Sequence, residues 1–226
     1  MDEFSLKVIA RIHTDFQEKF GIPRQSGLVD ELRSVIVFEP EYRSAEALRG
    51  LDGFSHLWLI WEFSKALRES WSPTVRPPRL GGNERLGVFA TRSPYRPNPI
   101  GLSCVRLIGI RQQAPYGTVI DVAGADLMDG TPIFDIKPYL PYADCHPEAS
   151  GGFASDSPSR RLTVSDPKKL LSTFQKEKIE ALIKVLELDP RPSYQNDPDR
   201  TYGMRFSGKN VRFQVLDNTL IITDIE

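Results

Sequence analysis

Apolar and polar residues alternate along much of the first two-thirds of the chain. Leu6, Val8, Ala10 and Ile12 stand between more polar neighbours, and Val35 and Val37 repeat the period of two that marks a strand with one buried face. His56-Leu57-Trp58-Leu59-Ile60-Trp61 is apolar at nearly every position, which predicts a strand buried on both faces. Strand-like runs follow at Gly87 to Ala90, Ser103 to Ile108 and Thr118 to Val122, separated by Gly, Pro and Asp-Gly turn signals. Short strands at this spacing, with little helix between them, predict an antiparallel barrel or sandwich, and an up-and-down scaffold is the simplest version. The early helix candidate runs from Ser44, a capping residue, to Arg49, before Gly50.

The pattern changes near residue 150. From His146 to Arg161 the chain is rich in Ser, Gly, Pro and Ala and reads as a linker. Asp166-Pro167 then opens a predicted helix. Leu170, Leu171, Phe174, Ile179, Leu182, Ile183 and Leu186 fall near helical spacing, and Asp189-Pro190 ends it. Val211 to Leu216 and Thr219 to Ile225 read as two closing strands. The organisation expected is a mainly β domain over 1–150 and a small α+β domain over 160–226.

Charge sharpens this picture. The 226 residues carry a formal charge of −1, so no global field draws the chain to nucleic acid or membrane. Residues 65–106 nevertheless carry +6, against −7 for the remainder. Cys104 and Cys145 are the two cysteines, spaced for neither a disulfide framework nor a zinc site, and read as reduced thiols of a cytoplasmic protein. His13, His56 and His146 are too scattered to nominate a metal. The N-terminus lacks a signal-peptide pattern, and no run approaches the roughly 18 apolar residues of a membrane span.

Glycine fingerprints, phosphate loops, nucleophile elbows and zinc-helix motifs are missing. Four polar segments stand at the ends of predicted strands instead. They are Ile22 to Gly27, Gly53 to His56, Thr91 to Pro99, and Ala125 to Pro132 with Asp135 to Tyr139. Each has an ordinary reading as turn, solvated face or core. The third resists it best. Three prolines, two arginines and a tyrosine in nine residues make a stiff cationic loop, suited to clamp an anion or carboxylate.

The stretches "GVFATRSPYRPNPIGLS", "DLMDGTPIFDIKPYLPY", "GLDGFSHLWLIWEF", "PTVRPPRLGGNERLGVFATRS" and "DPRPSY" together resemble the TrmO (TsaA/YaeB) family of tRNA (adenine(37)-N6)-methyltransferases, from Leu6 to the last strands. The resemblance implies an antiparallel β-barrel that binds S-adenosylmethionine without a Rossmann fold. It implies methylation of N6 of threonylcarbamoyladenosine at position 37 of threonine tRNA, by a homodimer whose cofactor site lies near the subunit interface. It places the cofactor on Pro23, Arg24, Gln25, His56, Arg92, Leu102, Asp126, Leu127, Met128 and Asp129. Tyr95, Asp129, Asp135 and Tyr139 are candidates to accept the N6 proton or position the base. Arg76, Arg79, Arg85 and Arg96 are candidates for the tRNA anticodon stem-loop and the threonylcarbamoyl carboxylate. Arg191 and Tyr194, with Arg205, Lys209 and Arg212, would extend that track over the second domain. No metal is implied. A non-catalytic adenosylmethionine or nucleotide sensor, and an RNA-binding module without a small ligand, are the alternatives.

Overall fold

In a computed structural model, residues 4–155, 161–192, 195 and 197–226 are described. The chain forms strands β1 (Ala10–His13), β2 (Arg33–Phe38), β3 (His56–Glu62), β4 (Thr74–Val75), β5 (Leu86–Gly87), β6 (Ile100–Gln113), β7 (Gly117–Ala123) and β8 (Thr131–Pro138). A short helix α1 (Pro141–Asp144) follows. The C-terminal part has β9 (Thr163–Ser165), α2 (Lys176–Glu187), β10 (Tyr202–Phe206), β11 (Lys209–Leu216) and β12 (Thr219–Ile225).

Six strands pair antiparallel in the order β1-β2-β7-β6-β3-β8, and β8 pairs back onto β1, so the sheet closes on itself. The order is not up-and-down, because β2 is followed in space by β7 and β3 lies between β6 and β8. Alternation fills the interior with Ile12, Ile36, Leu57, Leu59, Val105, Ile120, Val122 and Ile133. On β3 only Leu57, Leu59 and Trp61 are buried, while Trp58 and Ile60 are half-exposed on the outer face. The expectation of burial on both faces fails because nothing covers the outside as completely as side chains fill the inside.

Other elements also depart from expectation. Ser44 to Arg49 holds a 3-10 turn at Ala45–Leu48 rather than an α-helix, and Ser44 makes no side-chain cap. The run at 87–90 is the end of β5 and a 3-10 turn. The long C-terminal helix is divided in two. Asp166 accepts from the Leu170 and Leu171 amides at 2.9 and 2.8 Å, Lys169 adopts φ 57°, and a 3-10 turn at Leu170–Thr173 precedes α2. An acid that bonds amides four and five residues on closes a local loop and stops helix propagation there.

The C-terminal sheet has the order β10-β11-β12-β9, with β9 parallel to β12. Leu182 and Leu186 of α2 pack on Phe206, Phe213, Leu220 and Ile222. Phe16, Val29 and Leu32, from the connection between β1 and β2, join this second core. Phe16 meets Phe206 edge-on with ring centroids 5.5 Å apart. Lys178 donates to both oxygens of the nearly buried Asp15 carboxylate at 2.6 and 2.8 Å. Gly21, at φ +92°, lies so close to Met204 that a Cβ would sit 2.0 Å from its sulfur. Residues 15–32 thus belong to the first part of the chain by sequence and to the second part by packing.

Candidate functional site

A cleft of about 260 Å³ opens where β3 and β8 meet the β1–β2 connection. Ile22, Pro23, Trp61, Phe63 and Met128 supply apolar wall, and Glu62, Asp126 and Asp129 supply carboxylates. The loop from β7 to β8 brings Asp126 to Gly130 inward because Gly124 and Gly130, at φ +76° and +74°, allow tight turns at each end.

Asp126 is the most constrained charge of the site. Ser103 Oγ donates to Asp126 Oδ1 at 2.6 Å, and Trp61 Nε1 donates to Ser103 Oγ at 3.0 Å. Gly101 leaves room for this indole, since a Cβ there would lie 2.3 Å from the Trp61 ring. Burial pushes the Asp126 carboxyl above its ordinary value, against the opposing pull of the Ser103 hydroxyl and Arg92. Asp129 stands at the exposed rim. Its Oδ1 accepts from the Thr14 amide at 3.1 Å and lies 3.1 Å from His13 Nδ1.

The predicted cofactor residues divide. Pro23 and Asp126 to Asp129 line the cleft. Arg24, Gln25 and Arg92 are not part of that lining: Arg92 donates to the Gln25 side chain and lowers the proton affinity of Asp126, and Arg24 donates to the Arg191 carbonyl at 3.4 Å. Leu102 points outward beside Ser103 and is half-exposed. His56 does not join them. It begins β3, five residues before Trp61, or about 16 Å along an extended strand. It sits there against Ser55 Oγ at 2.9 Å, with its ring 6.1 Å from Tyr139. Phe63 and Ser64, just beyond the other end of β3, occupy the cleft instead.

Among the proposed catalytic residues only Asp129 lines the cleft. Tyr95 lies under the Arg68 guanidinium at 3.5 Å, although its neighbour Pro94 lines the wall. Asp135 pairs with Lys137 at 2.8 Å. Tyr139 belongs to the far end of β3, near Trp58, and its hydroxyl is raised by desolvation and by Cys145.

The arginines divide as well. Arg76 and Arg85 are exposed, with Arg85 Nε donating to Thr74 Oγ1 at 2.9 Å. Arg96 is turned inward, donating to the carbonyls of Ser93, Val88 and Thr91 at 3.0, 3.3 and 2.5 Å. It ties the proline-rich loop to itself and presents little to a ligand. Arg191 is 4% exposed and bidentate to Asp189 at 2.8 Å, so its guanidinium is withdrawn from any external phosphate. Arg205 is exposed; Arg212 is exposed and pairs with Glu226 at 3.1 Å. Lys209 donates to the Thr173 carbonyl at 2.9 Å. Arg79 lies in a 3-10 turn at Pro78–Leu80, and Tyr194 lies outside the described residues.

Sequence reasoning gave no site role to Ser103, read Trp61 and Phe63 as core, weighed His13 only as a metal ligand, and noted Ser26 only as part of a polar turn. Ser103 carried a signal: a hydroxyl at an inward position of an alternating strand needs a polar partner. Ser26 Oγ accepts from the Cys104 amide at 3.1 Å, a contact between distant segments that no local pattern reveals. Among the described residues no cluster suited to a metal is found, and no helix is long and apolar enough to cross a membrane.

Comparison with known proteins bears on this arrangement. A family model described as the tRNA-methyltransferase O N-terminal domain matches residues 11–145, and one described as the TrmO C-terminal domain matches residues 163–226. The chain is 41% identical over 225 residues to the tRNA (adenine(37)-N6)-methyltransferase of Escherichia coli K12, covering 96% of this chain and 95% of that one. A human protein of the same name is 38% identical over 138 residues, covering 58% of this chain and 29% of its own. The crystal structure of TrmO from Pseudomonas aeruginosa superposes with a TM-score of 0.81 at 32% identity, covering 100% of both chains.

Proposed function

The chain belongs to the TrmO family, and on that premise we propose that its cleft binds S-adenosylmethionine and delivers a methyl group to N6 of adenosine 37 in tRNA. The observation that carries this reading is the cleft itself, with its desolvated Asp126 carboxylate beside a segment of +6 charge. The closed sheet is then the non-Rossmann β-barrel that holds the cofactor.

The residues fit that ligand. Asp126, Asp129 and Glu62 share the lining with Lys19 and Lys65, so the cleft offers carboxylates to a sulfonium or ammonium and cations to a carboxylate, and Phe63 and Ile22 offer apolar surface for a purine. Arg92, steadied by Gln25, supplies the opposite charge at the margin for a carboxylate. When bound, S-adenosylmethionine supplies a methyl on a positively charged sulfur that leaves as a neutral thioether.

The chain's own contribution is alignment and proton handling. The N6 lone pair of adenine is delocalised into the ring, so the amine needs its proton removed as it reacts. Asp129 is exposed at the cleft mouth and linked to His13, which makes it the group placed to accept that proton. The Thr14 amide fixes its oxygen. Tyr95, Asp135 and Tyr139 lie outside this route.

The finer reading is that the target adenosine carries a threonylcarbamoyl group in threonine tRNA, whose carboxylate Arg76 or Arg85 recognises. Exposed Arg205 and Arg212 support the anticodon stem-loop from the second domain. The protein works as a cytoplasmic homodimer. The test is mass spectrometry of tRNA nucleosides from a deletion strain, before and after treatment with purified protein and S-adenosylmethionine. The expected result is a gain of one methyl on the modified adenosine at position 37. A wild-type protein that binds the cofactor in calorimetry yet leaves every tRNA unmethylated would sink the reading.

A further inference from the structure

The segment between β3 and β6 carries two large aromatic rings at the surface. Phe89 is 75% exposed and Trp71 49% exposed. Their rings lie in near-parallel planes, 24° apart, with centroids separated by 6.2 Å. Exposed rings on a slack loop would be unremarkable, but this loop is tied at many points. β4 pairs with β5 through Thr74 and Gly87. The Val88 amide donates to the Pro73 carbonyl at 3.0 Å, and the Ser72 amide to the Tyr95 carbonyl at 3.2 Å. Phe89 sits in a 3-10 turn whose flanking carbonyls, Val88 and Thr91, are both held by Arg96. The fold holds two apolar rings in water on a braced support, and persistent exposure of this kind marks a binding surface.

Charge identifies the occupant. Arg68, Arg76, Arg85 and Arg92 belong to the same segment, against Glu69 and Glu84. Exposed aromatic faces on an arginine-rich segment match single-stranded nucleic acid, whose bases stack while its phosphates pair with arginine. We propose that Trp71 and Phe89 form a stacking platform for an unpaired base of the substrate RNA, a neighbour of the methylated adenosine in the anticodon loop. The proposal rests on the tRNA reading above and adds to it the surface that holds the loop open. The platform lies on residues outside the cleft lining, so it acts on RNA affinity and not on the cofactor.

The experiment compares wild type with the W71A/F89A double variant and the conservative W71F/F89Y variant. The probes are a 17-nucleotide anticodon stem-loop and the same RNA carrying 2-aminopurine beside the target. The double alanine variant is expected to lose about 10- to 100-fold in stem-loop affinity, the range for one lost base stack. It keeps wild-type S-adenosylmethionine binding, melting temperature and salt dependence of binding, since no phosphate contact is removed. W71F/F89Y retains most of the affinity, and wild type quenches 2-aminopurine where the double alanine variant does not. If wild type methylates tRNA while W71A/F89A binds the stem-loop equally well, the platform is refuted and the activity stands. If wild type neither binds nor methylates the RNA, the underlying functional reading falls with it. If the double variant instead changes the sedimentation of the free protein, the rings are covered by a second copy and the proposal is overturned.

Discussion

At one end of β3 lies Asp126 and at the other lies Asp144, and the fold treats these two carboxylates oppositely. Asp126 is half-buried beside Trp61 and Ser103, and desolvation raises its affinity for a proton. Asp144 accepts from the Leu140 amide at 2.8 Å and the Trp58 indole at 2.9 Å, and these donors lower its pKa. The satisfied carboxylate pins α1 against β3. The same chemical group is held by donors in one place and desolvated in the wall of a cleft in the other, and its proton affinity moves in opposite directions.

The largest expected effect tests that contrast directly. Asp126→Ala should weaken S-adenosylmethionine binding by about 10- to 100-fold, the usual scale for losing a charged partner. Asp144→Ala should leave that affinity within about twofold. Equal losses in calorimetry would erase the distinction between the ends. The next comparison sets Phe63→Ala against His56→Ala. Removal of a ring from the cleft should cost roughly tenfold in affinity, and removal of the distant imidazole should cost almost nothing. Third is the brace of the proline-rich loop. Arg96→Ala removes the donor to the Ser93 and Thr91 carbonyls, while the Val88 carbonyl keeps the Thr91 amide and hydroxyl, and should lower stability by about 2 kcal/mol, or roughly 4–8 °C in a chain of this size. Arg96→Lys should recover less than half, because an ammonium cannot reproduce the guanidinium fork.

The smallest effect is in pH dependence. Asp126 has a raised folded-state pKa, so its contribution favours the fold below the ordinary carboxylate value of 3.8 and is lost as pH rises through the raised value. Asp126→Asn should therefore raise the melting temperature at pH 7, with the gain fading as the solution is acidified. Asp144 has the opposite sign. Its stabilisation is present above 3.8 and is lost as pH falls through the lowered value. Asp144→Asn should lower the melting temperature at pH 7 and converge with wild type in acid. Thermal scans from pH 7 to about pH 2 distinguish the two, because the Asp126 effect fades above 3.8 and the Asp144 effect below it.

The same physics explains which parts of the molecule were legible beforehand. Alternation announced β1 and β2, because burial of one face imposes a period of two, whereas β3 and β7 were announced by apolar runs, and for β3 the run overstated burial of the outer face. β8 stayed hidden because Pro132, Asp135 and Pro138 break its pattern, and β10 because Gly203 and Arg205 dilute it. The polar turns at 22–27 and 125–130 stood out because their prolines, aspartates and glycines are unsuited to a core. That a closed sheet would gather them at one cleft was an expectation from their place at strand ends, and Pro23 and Asp126 to Asp129 do share its lining. His56, named by the family resemblance, opens β3 five residues before Trp61, which lines the cleft. The arginines misled because composition counts charges without saying where they point. Arg96 and Arg191 face carbonyls and Asp189.

Residues 15–32 form a strut with one foot in each half of the protein. Pro23 at its middle is a wall of the small-molecule cleft, while Phe16, Val29 and Leu32 are keyed into the core beneath the C-terminal sheet. A gene fragment ending at residue 150 would keep every carboxylate of the cleft yet leave those three side chains in water and the wall unsupported. In the intact protein the strut ties the cleft wall to the C-terminal core, so any influence that a ligand on one side exerts through it on a ligand at the other must be returned by the same factor.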